Sequence, residues 1–179
     1  MITVNFENVN EAGTNENSSR PPAAAYMCKI VNVEHYESKQ GIVIELDIDD
    51  VSEYSGHYSA LYEKYRFWAL SSFRSYKPRA LPYFKKFIKD VERSNPGYSW
   101  NGDEMQLVGK QIGAVIGYRE YIGNDGTKKT KEYIDAFVSV DELIKGEYSV
   151  PELKKLEPEK GTNEVVDNSF KPVTDDIPF

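Results

Sequence analysis

The sequence predicts an all-β fold with one helix: a five-stranded Greek-key barrel followed by a disordered acidic C-terminal tail. Three observations lead there. Apolar and polar residues alternate between Ile42 and Asp49, the mark of a strand with one buried face. The periodic segments come in the order strand, strand, strand, helix, strand, strand. Beyond about Leu156 the chain becomes polar and acidic, with too little apolar surface to offset the entropy of ordering.

Residues 7 to 23 are rich in Asn, Glu, Ser, Gly and Pro and read as a mobile loop, with Met1–Phe6 before it as a short edge strand or subunit contact. The folded region is expected to begin near Ala24. Tyr26 to Tyr36 is the first strand, Ser38-Lys39-Gln40-Gly41 a turn, and Ile42, Ile44, Leu46 and Ile48 the buried face of the second strand. A loop from Asp50 to about Ala60 leads to a third strand at Tyr62–Leu70. There Tyr62, Lys64, Arg66 and Trp68 share one side, and Glu63, Tyr65, Phe67 and Ala69 the other. Pro78 and Pro82 mark the connection to a helix at Tyr83–Arg93, where Phe84, Phe87, Ile88 and Val91 recur at offsets of three, four and seven. Asn95-Pro96-Gly97 stops it. Gln111–Tyr121 is the fourth strand, Asn124-Asp125-Gly126 a hairpin turn and Thr127–Val140 the fifth strand. Asp141 to Ile144 has the composition of one more helical turn. The domain reading is therefore a flexible segment at 1–23, a barrel at 24–150 and a disordered acidic tail at 151–179.

Two tight hairpins flanking a crossover helix is the topology of the OB-fold, whose second and third strands and adjoining loops bind single-stranded nucleic acid. The same elements also fit an open α+β sandwich, and their order leaves both available.

With 179 residues, 40% of them hydrophobic, the chain suits one domain plus tails. No apolar run is long enough for a membrane helix, and the N-terminus has no secretory pattern. The single cysteine, Cys28, excludes an intrachain disulfide. These features predict a cytoplasmic protein. The net charge of −7 hides a segregation. Residues 156 to 179 hold six acids against two bases, and residues 62 to 93 hold nine bases against three acids. Local patches govern phosphate affinity. On the helix, Lys85, Lys86 and Lys89 serve either as a solvated face or as DNA contacts.

A protein that holds single strands without reading sequence needs cations for the phosphates and flat rings for the bases. Lys64, Arg66, Trp68, Phe73, Arg74, Tyr76, Lys77 and Arg79 interleave the two types. Tyr65 and Phe67 are assigned to the core by parity, and Arg74, Tyr76 and Lys77 to a loop. A second group flanks the last hairpin: Tyr118, Arg119, Tyr121, Lys128, Lys129, Lys131 and Tyr133. Its lysines either grip the backbone or guard a sheet edge. Lys39 is a weaker candidate. No zinc constellation or glycine-rich phosphate loop is present, so no metal or cofactor is expected. His57 reads as a solvated loop residue, and Asp47, Asp49 and Asp50 as a solvated strand edge rather than a magnesium site.

The chain ends in Asp175-Asp176-Ile177-Pro178-Phe179. A terminal phenylalanine offers a ring and an α-carboxylate to one pocket, Pro178 limits the entropy of docking, and the two aspartates steer the tip to a basic surface. This tip resembles that of bacterial and bacteriophage single-stranded DNA-binding proteins. The resemblance implies a non-catalytic homo-oligomer that coats single-stranded DNA and recruits replication, recombination or repair enzymes through the tip. It also implies a bacterial host cell, with either a phage or a chromosomal gene as the source. The rival expectations are a protein-interaction adaptor without strong DNA binding of its own and a metal-dependent nuclease.

Overall fold

The structure, a computed structural model, describes residues 20–157. The expected loop up to residue 19, most of the acidic tail and the tip Asp175–Phe179 lie outside the described residues. Within them the fold is mostly β. Strands β1 (Ala24–Tyr36), β2 (Gly41–Ile48), β3 (Ser71–Ser75), β4 (Gln111–Ile122) and β5 (Lys128–Val138) form one antiparallel sheet in the order β3-β2-β1-β4-β5. Three helices accompany it: α1 (His57–Tyr65), which was not expected, α2 (Leu81–Ser94), the expected helix, and α3 (Val140–Lys145) at the helical turn expected from Asp141 to Ile144.

The alternation in β2 does what a period of two requires. Ile42, Ile44, Leu46 and Ile48 are buried, while Val43 and Glu45 on the opposite face are half-buried. In β1 the buried parity changes from Cys28 and Ile30 to Val33. A bulge between Ile30 and Asn32 explains this, because one extra residue resets which side chains face inward. The turn from β1 to β2 is a short 3-10 segment, Glu37–Lys39, closed by Gln40 in the left-handed region (φ 50°).

Helix α2 lays Phe87, Ile88 and Val91 into the core. Its end is tied to β4 through Asn95, whose amide donates to Val91 O and Gln111 O (both 2.8 Å) and accepts from Gln111 N (2.9 Å). On its outer side Lys86 pairs with the buried Asp90 and Lys89 with Glu92, each at 2.6 Å. Those contacts favour a structural role for the two lysines. Helix α3 starts from a capping box in which Ser139 and Glu142 satisfy each other's backbone N–H groups.

The largest departure from expectation lies between β2 and β3. Residues 62–70 are not a strand. Their first part belongs to α1, and the third strand is the five-residue segment that follows. Helix α1 begins after Gly56 with no side-chain cap of its own. Its first N–H groups instead reach Asp47 on β2: the carboxylate accepts from Tyr58 N at 2.9 Å and Ser59 N at 3.1 Å, and also from Ile48 N and Ser59 Oγ. Asp47 is buried at 5% exposure, so it is a cap and not a solvated strand edge. His57 opens this helix and is half-buried, and burial lowers its pKa and favours the neutral ring.

The two outermost strands approach each other. The Arg74 guanidinium of β3 lies over the Phe137 ring of β5, 4.4 Å from its centroid. At the opposite end of the sheet, β1 starts at Ala24 opposite Ile116, which leaves the edge of β4 uncovered beyond that point. Residues 151–156 take that edge. Lys154 N donates to Tyr118 O at 3.0 Å, and Glu120 N donates to Lys154 O at 2.8 Å. Arg20 pairs with Glu132 beside them.

Candidate nucleic-acid interface

The clearest cationic surface is built by the β4–β5 hairpin. Its turn is held by Asp125, whose carboxylate accepts from Thr127 N (3.0 Å) and Thr127 Oγ1 (2.7 Å), with Gly126 at φ 77°. Those hydrogen bonds, with Lys129 adding a further one, pull the Asp125 carboxyl down to about 2. The turn sets the register: Gly117 opposite Tyr133, Arg119 opposite Lys131, and Tyr121 opposite Lys129.

Alternation then divides the group that sequence reading treated as one. Tyr118 and Lys128 fall on the other face of the hairpin and do structural work there. The Tyr118 hydroxyl donates to Pro21 O, Arg20 lies 5.0 Å from the Tyr118 ring centroid, and Lys128 pairs with Glu120 at 3.2 Å. Arg119, Tyr121, Lys129, Lys131 and Tyr133 stay together.

The strap at residues 151–156 adds a member that nothing in the sequence announced. Lys154 bridges to Arg119 in parallel register. Lys131, Arg119 and Lys154 thus form a row of three cations across three neighbouring segments. Like charges placed opposite each other cost stability, and among the described residues no carboxylate pairs with Arg119 or Lys131. Rings lie among them: Lys131 Nζ is 5.2 Å from the Tyr121 centroid and Lys154 Nζ is 4.1 Å from that of Tyr133. Gly117 makes the room, since a Cβ there would stand 2.9 Å from the Tyr133 hydroxyl and 2.7 Å from Pro151 Cγ. Lys154 also reaches Asp135 at 3.7 Å, and Lys129 reaches Asp125 at 3.2 Å.

A second surface is the outer face of β1, β2 and β3. Pairing puts Glu34, Val43 and Phe73 in one row, with Tyr36, Gly41 and Ser75 in the next. Phe73 is 45% exposed and its ring lies over Gly41, where any Cβ would collide with it. Lys39 stands 5.3 Å from the Tyr36 ring centroid.

The segment 64–68 does not present its residues as a strand face. Lys64 is in the last turn of α1, its ammonium 4.8 Å from the Tyr65 ring centroid. Arg66 closes the helix in the left-handed region at φ 60°, uncommon for a non-glycine residue. Tyr65 and Phe67, expected in the core, are exposed and face each other at 6.3 Å. Trp68 is half-buried against the core and its Nε1 donates to Leu46 O at 3.0 Å. We expect Trp68→Ala to lower unfolding free energy by roughly 2–3 kcal/mol in urea titrations, because both packing and a satisfied carbonyl are lost.

The remaining candidates divide similarly. Arg74 lies in β3, not a loop. Its guanidinium is desolvated, which lowers its pKa, and it serves the contact with Phe137. The Tyr76 hydroxyl and His35 Nε2 are 2.8 Å apart. Lys77 and Arg79 are exposed in the turn before α2. Among the described residues no helix is long and apolar enough to cross a membrane, and no group of His, Cys, Asp or Glu is placed to hold a metal ion. The chain matches no family model and no curated protein.

Proposed function

We propose that this protein binds single-stranded DNA without strict sequence dependence, on an OB-type barrel, and recruits partner enzymes through its C-terminal tip. The cation row Lys131–Arg119–Lys154, interleaved with Tyr121 and Tyr133, is the observation that carries the reading. It combines a charge arrangement that calls for an anion with the flat rings that unpaired bases stack on. The strand order supports the barrel: β1 pairs with both β2 and β4, and the Arg74–Phe137 contact draws β3 towards β5, the two strands whose approach closes an OB barrel. In that frame the outer face of β2 and β3, with Phe73, and the β4–β5 hairpin are the expected binding elements. The tip resembles those of bacterial and bacteriophage single-stranded DNA-binding proteins, and a homo-oligomer that coats DNA in a bacterial cytoplasm follows from the same resemblance. Binding, not turnover, is the proposed activity.

A mobility-shift titration with oligo-dT and with a duplex of equal length tests it. Preferential binding of the single strand is expected, with log affinity falling linearly as log salt rises. No binding to either would overturn the proposal and leave the adaptor reading.

A further inference from the structure

We infer that the outer face of β1–β3 is a base-reading subsite that favours bases presenting an amino group over thymine; this rests on the proposed single-strand binding. The argument starts from what surrounds Phe73. Its ring is laid over Gly41 because that position has no Cβ, which turns an aromatic side chain into an exposed platform beside the strand. Stacking is tolerant of base identity, so any selectivity must come from the platform's neighbours.

Two of those neighbours are acidic, and Lys39 lies against the Tyr36 ring. Glu34 shares the row of Phe73 through Val43, and Glu45 is the next outward residue of β2. Both carboxylates are already oriented. Tyr36 hydrogen-bonds to Glu34, which raises the tyrosine pKa, and the Asn32 amide donates to Glu45 at 3.2 Å. Each retains lone pairs for another donor. Glu45 is the diagonal neighbour of Phe73, and Glu34 that of Gly41, over which the ring lies; such neighbours stand roughly 7–8 Å apart, within reach of a base stacked on the ring. Carboxylates repel phosphate, so the backbone is steered to the cationic hairpin and the base edge is left to face Glu34 and Glu45. Cytosine presents an N4 amino donor where thymine presents the O4 acceptor. The first completes a hydrogen bond to a carboxylate; the second sets two acceptors against each other.

Fluorescence anisotropy with labelled oligo-dC and oligo-dT of equal length reads this directly, since both are pyrimidines of similar stacking area. The wild type should bind oligo-dC more tightly by about tenfold, the lower range for a specific base contact. The double variant Glu34→Gln, Glu45→Gln should lose that preference, because the amide nitrogen donates to thymine O4 as readily as the amide oxygen accepts from the amino group. Both positions are on the solvent side of the sheet, and a thermal melt checks that the fold is kept. Gly41→Ala should weaken both ligands together by lifting the Phe73 ring. Equal wild-type affinities, or a preference that survives the double variant, would overturn the subsite while leaving single-strand binding intact. Failure to bind either oligonucleotide would overturn the function and the subsite with it.

Discussion

Reversing the charge of Arg119 and Lys131 together, as Arg119→Glu with Lys131→Glu, should reduce affinity for oligo-dT on the order of a hundredfold at low salt. The two residues are direct cross-strand partners on the exposed face of the hairpin, with Lys154 next to Arg119 on the other side. Among the described residues neither is neutralised by a carboxylate, so their charge remains for a ligand. If each meets one phosphate, the slope of log affinity against log salt should shrink by about 1.4, since each contact to a single strand contributes about 0.7. Stability should hold, because positions 119 and 131 still set like charges opposite each other while the contact of position 119 with Lys154 turns attractive. Affinity and slope equal to those of the wild type would remove the cation row from the interface. A loss of affinity at unchanged slope would mean that the substitutions act through the shape of the hairpin.

Asp47→Ala should destabilise the protein by about 3 kcal/mol, among the largest single-site effects on stability to be expected here. The carboxylate accepts from the backbone N–H groups of Ile48, Tyr58 and Ser59 and from the Ser59 hydroxyl. Removing it leaves those donors without a partner where Asp47 itself is 5% exposed and Tyr58 is fully buried. Because Gly56 contributes no side-chain cap, α1 has no substitute at its N-terminus. Its C-terminal end carries Lys64 and Arg66, so the segment 57–66 should lose amide protection first in hydrogen exchange. Asp47→Asn should lie between, since the amide oxygen accepts one of the bonds while its nitrogen opposes the other donors. A loss below about 1 kcal/mol for the alanine variant would show that water satisfies those groups.

Four strands and α2 were legible in the sequence because their signals are local. The alternation of Ile42, Ile44, Leu46 and Ile48 needs only its own side chains, and so do the 3.6-residue spacing of Phe84, Phe87, Ile88 and Val91 and the Asn124-Asp125-Gly126 turn. The structure keeps each with a shift of a few residues at the ends. The hairpin cluster was half legible. Composition located its bases and rings, but the face each residue takes depends on register, and register sent Tyr118 and Lys128 to the side of Arg20 and Glu132.

The segment 57–75 went wrong for a nameable reason. Tyr62, Tyr65, Phe67 and Trp68 carry strand propensity, and parity placed Tyr65 and Phe67 inside. Propensity yields to tertiary contacts, and here the deciding one is remote: Asp47 satisfies the N–H groups of a helix that begins ten residues later. Lys154 is the same case on the functional side, a lysine in a polar stretch that becomes part of a cation row only because β1 stops short and leaves an edge of β4 for residues 151–156.

Composition and periodicity were enough to establish a mostly β domain, its hairpin turns and a surplus of cations and rings in two regions. Backbone hydrogen bonding across distant segments settled which of those side chains share a surface, because partners such as Asp47 with Tyr58, or Arg119 with Lys154, satisfy valences that no local stretch of chain can satisfy for itself.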